Sequence, residues 1–125
     1  EGVVYPSAEA AFQAAKTLDP AIREEFSILS PSQAKRKGRH LEFRPHWEEI
    51  KRNVMLSIVR NKFKQNKDLA AKLLETDPEY LEEGNTWHDN TWGVCKCSRC
   101  QSRDQVGLNW LGKALMKVRE ELRVE

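Results

Sequence analysis

Residues 45–63, PHWEEIKRNVMLSIVRNKF, decide the fold. At about 100° per residue, Trp47, Ile50, Val54 and Ile58 fall in one stripe, while Glu49, Arg52, Asn53, Arg60 and Lys64 lie away from it. The spacing predicts one long helix from Pro45 to Phe63 with that stripe against a core. Two cations interrupt the stripe, because Lys51 and Lys62 fall at about 40° and 60° from Trp47. An unpaired buried ammonium is costly, so each needs either an exit to water along its own stem or an anionic partner. Periodicity leaves both readings open for both lysines.

Working outward, Ser7 after Pro6 is a helix cap, and AEAAFQAAK runs from it to about Thr17 with Ala8, Phe12 and Ala15 as a narrow apolar face. Its alanines imply close packing rather than bulk. Asp19-Pro20 opens a second helix that carries Ile22, Phe26 and Leu29 inward, and Ser30-Pro31 opens a short basic third, PSQAKRK, stopped by Gly38 as the residue just past its end. After Asn66 as N-cap, DLAAKLLET places Leu69, Leu73 and Leu74 in helical spacing, and Asp77-Pro78 ends it. Tyr80 and Leu81 suit a small strand or an extended segment. From Gly107, LNWLGKALMKVREEL is again helical, with Leu108, Leu111, Leu115, Met116 and Val118 apolar and Gly112 permitting close approach. The expected fold is mainly α, one compact domain of five or six helices with a little β-structure at the edge. Val3, Val4 and Tyr5 read as the end of a strand whose hairpin partner precedes residue 1.

The stretch 84–105 is long for a structureless loop, and such loops are usually functional or stapled by a metal. Beside Trp87, Asp89 and Trp92 it holds Cys95-x-Cys97-x-x-Cys100, which offers three ligands with metal-like spacing; His88 is the nearest fourth. A zinc ion held by His88, Cys95, Cys97 and Cys100 keeps no open position and therefore staples rather than catalyses; free thiols are the alternative. His40 and His46 lack spacing partners and read as solvent-facing.

A chain of 125 residues with 39% apolar and 32% charged residues is that of one soluble domain. No apolar run approaches about 18 residues, and EGVVYPSAEAAF lacks the basic start and apolar stretch of a signal peptide, so the expectation is a cytoplasmic protein without membrane contact. A net charge of +2 from interspersed residues supports no electrostatic argument for nucleic acid over a small anion. Three cysteines in one short segment form no disulfide framework and suit a reducing compartment.

Six stretches together are similar to the NADAR, or YbiA-like, domain family. They are YPSAEAAFQAAK (5–16), SPSQAKRKGR (30–39), WEEIKRNVMLSIVRNKFKQN (47–66), LAAKLLET (69–76), DNTWGVC (89–95) and GLNWLGKALMKVREEL (107–122). They occur in the family's order and cover nearly the whole chain. The resemblance implies a small helical N-glycosidase that hydrolyses the ribose C1–N bond of a phosphoribosyl or ADP-ribosyl substrate. That substrate is either a riboflavin-biosynthesis intermediate or ADP-ribosylated guanine, the latter free or in nucleic acid. It implies catalytic roles for Glu9 (Y-P-x-x-E-x-x-F-Q), Lys51 (W-x-x-x-K-x-x-V-M) and Asp89, and substrate contacts from Tyr5, Phe12, Gly38, Arg39, Trp92 and Asn109. It implies a monomer that needs no cofactor for its chemistry, with the cysteine cluster an accessory. Ala10 stands where the family usually has histidine, and the family's upstream strand, with its phenylalanine and asparagine, has no counterpart here. A non-catalytic ADP-ribose or nucleotide-binding module is the competing expectation, and a zinc-stapled interaction domain a third.

Overall fold

A computed structural model describes residues 3–102 and 106–124. The chain divides into two compact units, Glu1–Ile58 and Val59–Glu125.

In the first unit, α1 (Ala8–Ala14) starts where the Ser7 hydroxyl accepts from the Ala10 N–H at 3.0 Å. Asp19 caps α2 (Pro20–Glu25) through the Ala21 N–H at 2.9 Å, and a 3-10 turn, Phe26–Ile28, follows. A reciprocal Ser30–Gln33 capping box starts α3 (Pro31–Gly38). Ala10, Ala14, Phe26 and Ala34 form the buried core, ringed by Tyr5, Ile22, Leu29 and Leu41. The small alanines let α1 and α3 pack closely.

Two expectations change here. The most buried face of α1 is Ala10, Phe12, Gln13 and Ala14 rather than Ala8, Phe12 and Ala15, because α3 packs on the alanine ridge. Gly38 is not past the end of α3 but inside it; Arg39 is the C-cap, in right-handed helical geometry. A Cβ at Gly38 would collide with the Gln13 amide, so the glycine serves close approach, not chain reversal. Nothing among the described residues pairs with residues 3–5, whose expected partner precedes residue 1.

The long helix is present as α4 (Trp47–Gln65). It starts two residues later than predicted because His46, at φ 62°, is left-handed and cannot join a helical turn. Trp47 is buried, Ile50, Val54 and Ile58 are half-buried, and Val59 is the second fully packed position. Lys62 is exposed, as a snorkelling lysine would be, whereas Lys51 is half-buried.

In the second unit, α5 (Lys67–Glu75) packs on α7 (Trp110–Arg123), with Leu73 and Val118 buried. Asn66 stands at the α5 N-cap but makes no cap bond; its Nδ2 donates to the Lys62 carbonyl at 2.7 Å. Arg119, almost fully buried, donates to Thr76 Oγ1 at 3.0 Å and to the Glu79 carbonyl at 2.8 Å, tying the end of α5 to α7. Arg60 and Glu121 form a bidentate pair at 2.8 and 3.0 Å.

Of the two readings of Tyr80 and Leu81, a small strand or an extended segment, the strand is excluded. Instead, β1 (Gly84–Asn85) pairs in parallel with β2 (Val94–Cys95). A short α6 (Ser98–Ser102) adds a seventh helix inside the predicted loop. Leu108 precedes α7 and is exposed rather than part of its apolar face. No helix among the described residues is long and apolar enough to cross a membrane.

Candidate functional site

Glu9 lies in the first turn of α1, and its Oε2 accepts from Gln13 Nε2 at 2.6 Å across one helical turn. Gln13 is 5% exposed, so this donor is fixed by packing, and its Oε1, against Gly38, has no partner among the described residues. Phe12 is also buried, its ring 5.2 Å from that of Trp47, whose other neighbour, Phe43, is at 6.5 Å. Phe12 thus anchors the start of α4 beside α1.

Four charged residues act electrostatically on Lys16. Burial pushes its ammonium below the usual lysine range; Glu9 and Glu48 oppose that, while Lys51 and Arg39 reinforce it. Lys16 also stands 5.1 Å over the Phe43 ring. Glu9, Lys51 and Arg39, three residues drawn from distant motifs, are therefore within electrostatic reach of one half-buried cation. Lys51 pairs with Glu48 at 2.5 Å; its own side chain is 20% exposed and that of Glu48 74%. Arg39 is exposed at the end of α3, and Tyr5 is half-buried, its phenol pushed up by burial against the opposing effect of Arg23. Sequence reading missed Lys16 and Gln13 as members of this group; the i, i+4 spacing of Glu9 and Gln13 was the available signal. His40 and His46 are exposed, as expected.

In the second unit the 84–95 loop is built on Asn85, which is buried. Its Nδ2 donates to the Asp89 carbonyl at 2.8 Å, and its Oδ1 accepts from the backbone N–H of Asp89 and Trp87 at 3.1 and 3.2 Å. Asp89 Oδ1 in turn accepts from the N–H of Thr91 and Trp92 at 3.0 and 2.9 Å, an Asx turn that fixes the carboxylate and the indole together. Trp92 meets Trp110 edge-on, ring centres 5.5 Å apart, while Trp87 is exposed. Asn85, the hub, carried no signal in the sequence. Gly93 fits tightly beneath the loop, where a Cβ would meet the Glu83 carbonyl and Asn85.

Asn109 is 1% exposed and left-handed at φ 54°. Its Oδ1 accepts from the Glu83 N–H at 2.9 Å; its Nδ2 donates to the Leu81 carbonyl at 2.8 Å and to the Tyr80 hydroxyl at 3.3 Å. Both ends of the amide are thus engaged by the segment 80–83.

His88, Cys95, Cys97 and Cys100 bring their donor atoms within 4.8 Å of one another, a group able to hold a metal ion. Burial raises the Cys95 thiol, but hydrogen bonds from Cys97, the His88 backbone and Cys100 outweigh it and bring the group down to about 6. Burial and its bonds to Cys95 and Cys97 push Cys100 up to about 11.

The first unit offers a carboxylate, Glu9, held by a buried amide beside a cationic group; the second offers a carboxylate, Asp89, held by backbone N–H groups beside an indole. The NADAR domain model matches residues 1–123. N-glycosidase YbiA of Shigella boydii is 39% identical over the whole chain, which spans 75% of that relative; N-glycosidase YbiA of Escherichia coli matches equally. A riboflavin biosynthesis protein of Vibrio vulnificus is 38% identical over 98% of the chain, which spans 32% of that protein. The NMR structure of the Escherichia coli protein YbiA superposes with a TM-score of 0.82 at 38% identity, over 99% of this chain and 71% of that one. The chain belongs to the NADAR domain family.

Proposed function

We propose that this chain is an N-glycosyl hydrolase that cleaves the C1–N bond of a ribose carrying a phosphate, in a phosphoribosyl or ADP-ribosyl conjugate. Kinship with N-glycosidases over the full chain supports the reaction class and disfavours a module that only binds. The observation that carries the assignment of residues is Glu9, held by the buried Gln13 amide within the charged group of Lys16, Lys51 and Arg39.

Cleavage passes through an oxocarbenium-like transition state, positive at C1 and gaining negative charge at the leaving nitrogen. One carboxylate protonates that nitrogen and the other activates water or stabilises the cation; Glu9 and Asp89 are the pair. Lys51 is an anion partner or a transient covalent ligand of C1. Arg39 is suited to the phosphate, and Trp92 to stacking on the base. Side chains supply every step, so the chemistry calls on no cofactor. We place the reaction in the cytoplasm and in a monomer.

The test is incubation with a phosphoribosylaminopyrimidine, ADP-ribose conjugates and ADP-ribosylated DNA, with mass spectrometry to read which loses its sugar. Binding without release of base from any of them would sink the proposal.

Gly38→Ala is an informative variant. The new methyl displaces the far end of Gln13, and that amide cannot move without loosening its bond to Glu9. Helix propensity gains up to about 1 kcal/mol and overpacking costs about 1–3 kcal/mol, so a net cost of about 0–2 kcal/mol should lower Tm by at most about 8 °C and leave the variant folded. Turnover should fall roughly tenfold, as expected for loss of one hydrogen bond to a charged group. An unchanged kcat would show that Gln13 does not position Glu9.

A further inference from the structure

We infer that His88, Cys95, Cys97 and Cys100 hold one zinc ion in a closed tetrahedral centre. His88 Nδ1 stands 3.3 Å from Cys100 Sγ, 3.4 Å from Cys97 Sγ and 3.8 Å from Cys95 Sγ. A neutral imidazole nitrogen carries one proton or one lone pair, so three simultaneous hydrogen bonds to sulfur do not explain this arrangement. Four donors around a shared centre do. With Zn–N about 2.0 Å and Zn–S about 2.3 Å, a tetrahedron has N···S edges of about 3.5 Å. The three distances straddle that edge.

The surroundings suit thiolates bound to a cation. Each sulfur receives at least one N–H: the His88 backbone reaches Cys95 Sγ at 3.3 Å, the Cys100 backbone reaches Cys97 Sγ at 3.4 Å, and Asn90 Nδ2 reaches Cys100 Sγ at 3.6 Å. Such donors orient and tune metal-bound sulfur. The chain also accepts strain to present the fourth ligand, because His88 is left-handed at φ 67° without being glycine. β2 supplies Cys95, and the turn into α6 brings Cys97 and Cys100 round to it. No two of the three cysteines are joined as a disulfide. Three soft thiolates and an imidazole select zinc over magnesium or calcium, and four protein ligands leave no position for water or substrate.

The centre shares residues with the turn that carries Asp89. His88 precedes Asp89 directly, and Asn90, which bonds Cys100, also accepts the Cys95 N–H at 2.8 Å through its Oδ1. Zinc therefore holds the Asx turn that fixes Asp89 and Trp92 at its start, through His88, and at its second residue, Asn90. This consequence, unlike the metal site itself, rests on the proposed function.

Full-length protein purified under reducing conditions without chelator should contain one zinc per chain by elemental analysis. Its cobalt-substituted form should show thiolate-to-cobalt charge transfer and the strong visible bands of tetrahedral cobalt. Cys97→Ser should weaken metal binding at least tenfold in a chelator competition, and Ser98→Ala should leave it unchanged. If Cys97→Ser does not fold, stoichiometry and the cobalt spectrum of the unmodified chain decide. Folded, metal-free protein that stays so in added zinc, or a weak octahedral cobalt spectrum, would overturn the proposal. Chelation should also lower C1–N hydrolysis and zinc restore it; absence of hydrolysis in every sample would count against the function and leave the metal readout intact.

Discussion

Glu9→Gln, Lys51→Met and Asp89→Asn, made singly, should each lower kcat/KM for the glycosidic substrate by roughly 10²–10⁴-fold, the usual scale for removing a positioned acid, base or charge. Each preserves the local structure. In Glu9→Gln the new amide oxygen still accepts from Gln13 Nε2, and in Asp89→Asn the retained Oδ1 still accepts the Thr91 and Trp92 N–H groups. Lys51→Met keeps an apolar stem and loses only a pair with the exposed Glu48, worth about 0–1 kcal/mol. Melting should therefore move by only a few degrees in all three, so that lost turnover reports chemistry rather than unfolding. Lys51→Arg separates the two roles offered for the lysine. A guanidinium preserves the charge but forms no covalent adduct with C1, so substantial retention of rate would assign Lys51 as an anion partner and its loss would favour the covalent role. Near-normal turnover in all three neutral variants would remove this mechanism.

The first unit was legible because its signals are local. Ser7, Asp19 and Ser30 each stand at the N-cap that the sequence assigned them, and Phe26 lies in the core where its spacing put it. What failed to show locally was partnership. Gly38 has the sequence context of a helix stop, yet it is glycine because Gln13, 25 residues earlier, occupies the space of its side chain. Nothing local marks Lys16, whose ammonium feels Glu9, Lys51 and Arg39 from distant parts of the sequence. The second unit was harder still. A strand of two residues, Gly84–Asn85, has no room for alternation, and Asn85 organises its loop through side-chain bonds that leave no periodic trace. The cysteine spacing was visible, but the approach of His88 to all three sulfurs was a property of the folded loop alone.

Asn109→Ala should destabilise the protein by roughly 3 kcal/mol, lowering Tm by about 10 °C or more. Three effects add. Alanine in the left-handed region costs about 1 kcal/mol, and the Glu83 N–H and the Leu81 carbonyl each lose a partner, at about 1 kcal/mol apiece because both sit near solvent. Asn109→Gly tolerates the left-handed backbone and should recover about 1 kcal/mol of the loss, giving the order wild type, glycine, alanine in thermal denaturation. Gly112 belongs to the same device, since a side chain there would strike the Asn109 amide and the Leu81 carbonyl. The family pattern alone suggests a substrate contact for this asparagine, and the two roles predict different kinetics. As a clamp on 80–83, Asn109 should influence Tm strongly and leave the KM of the folded glycine variant within about twofold. A substrate ligand would instead raise KM about tenfold or more with Tm unchanged, the loss of one polar contact made in binding. The complete engagement of its amide by Leu81, Glu83 and Tyr80 favours the clamp.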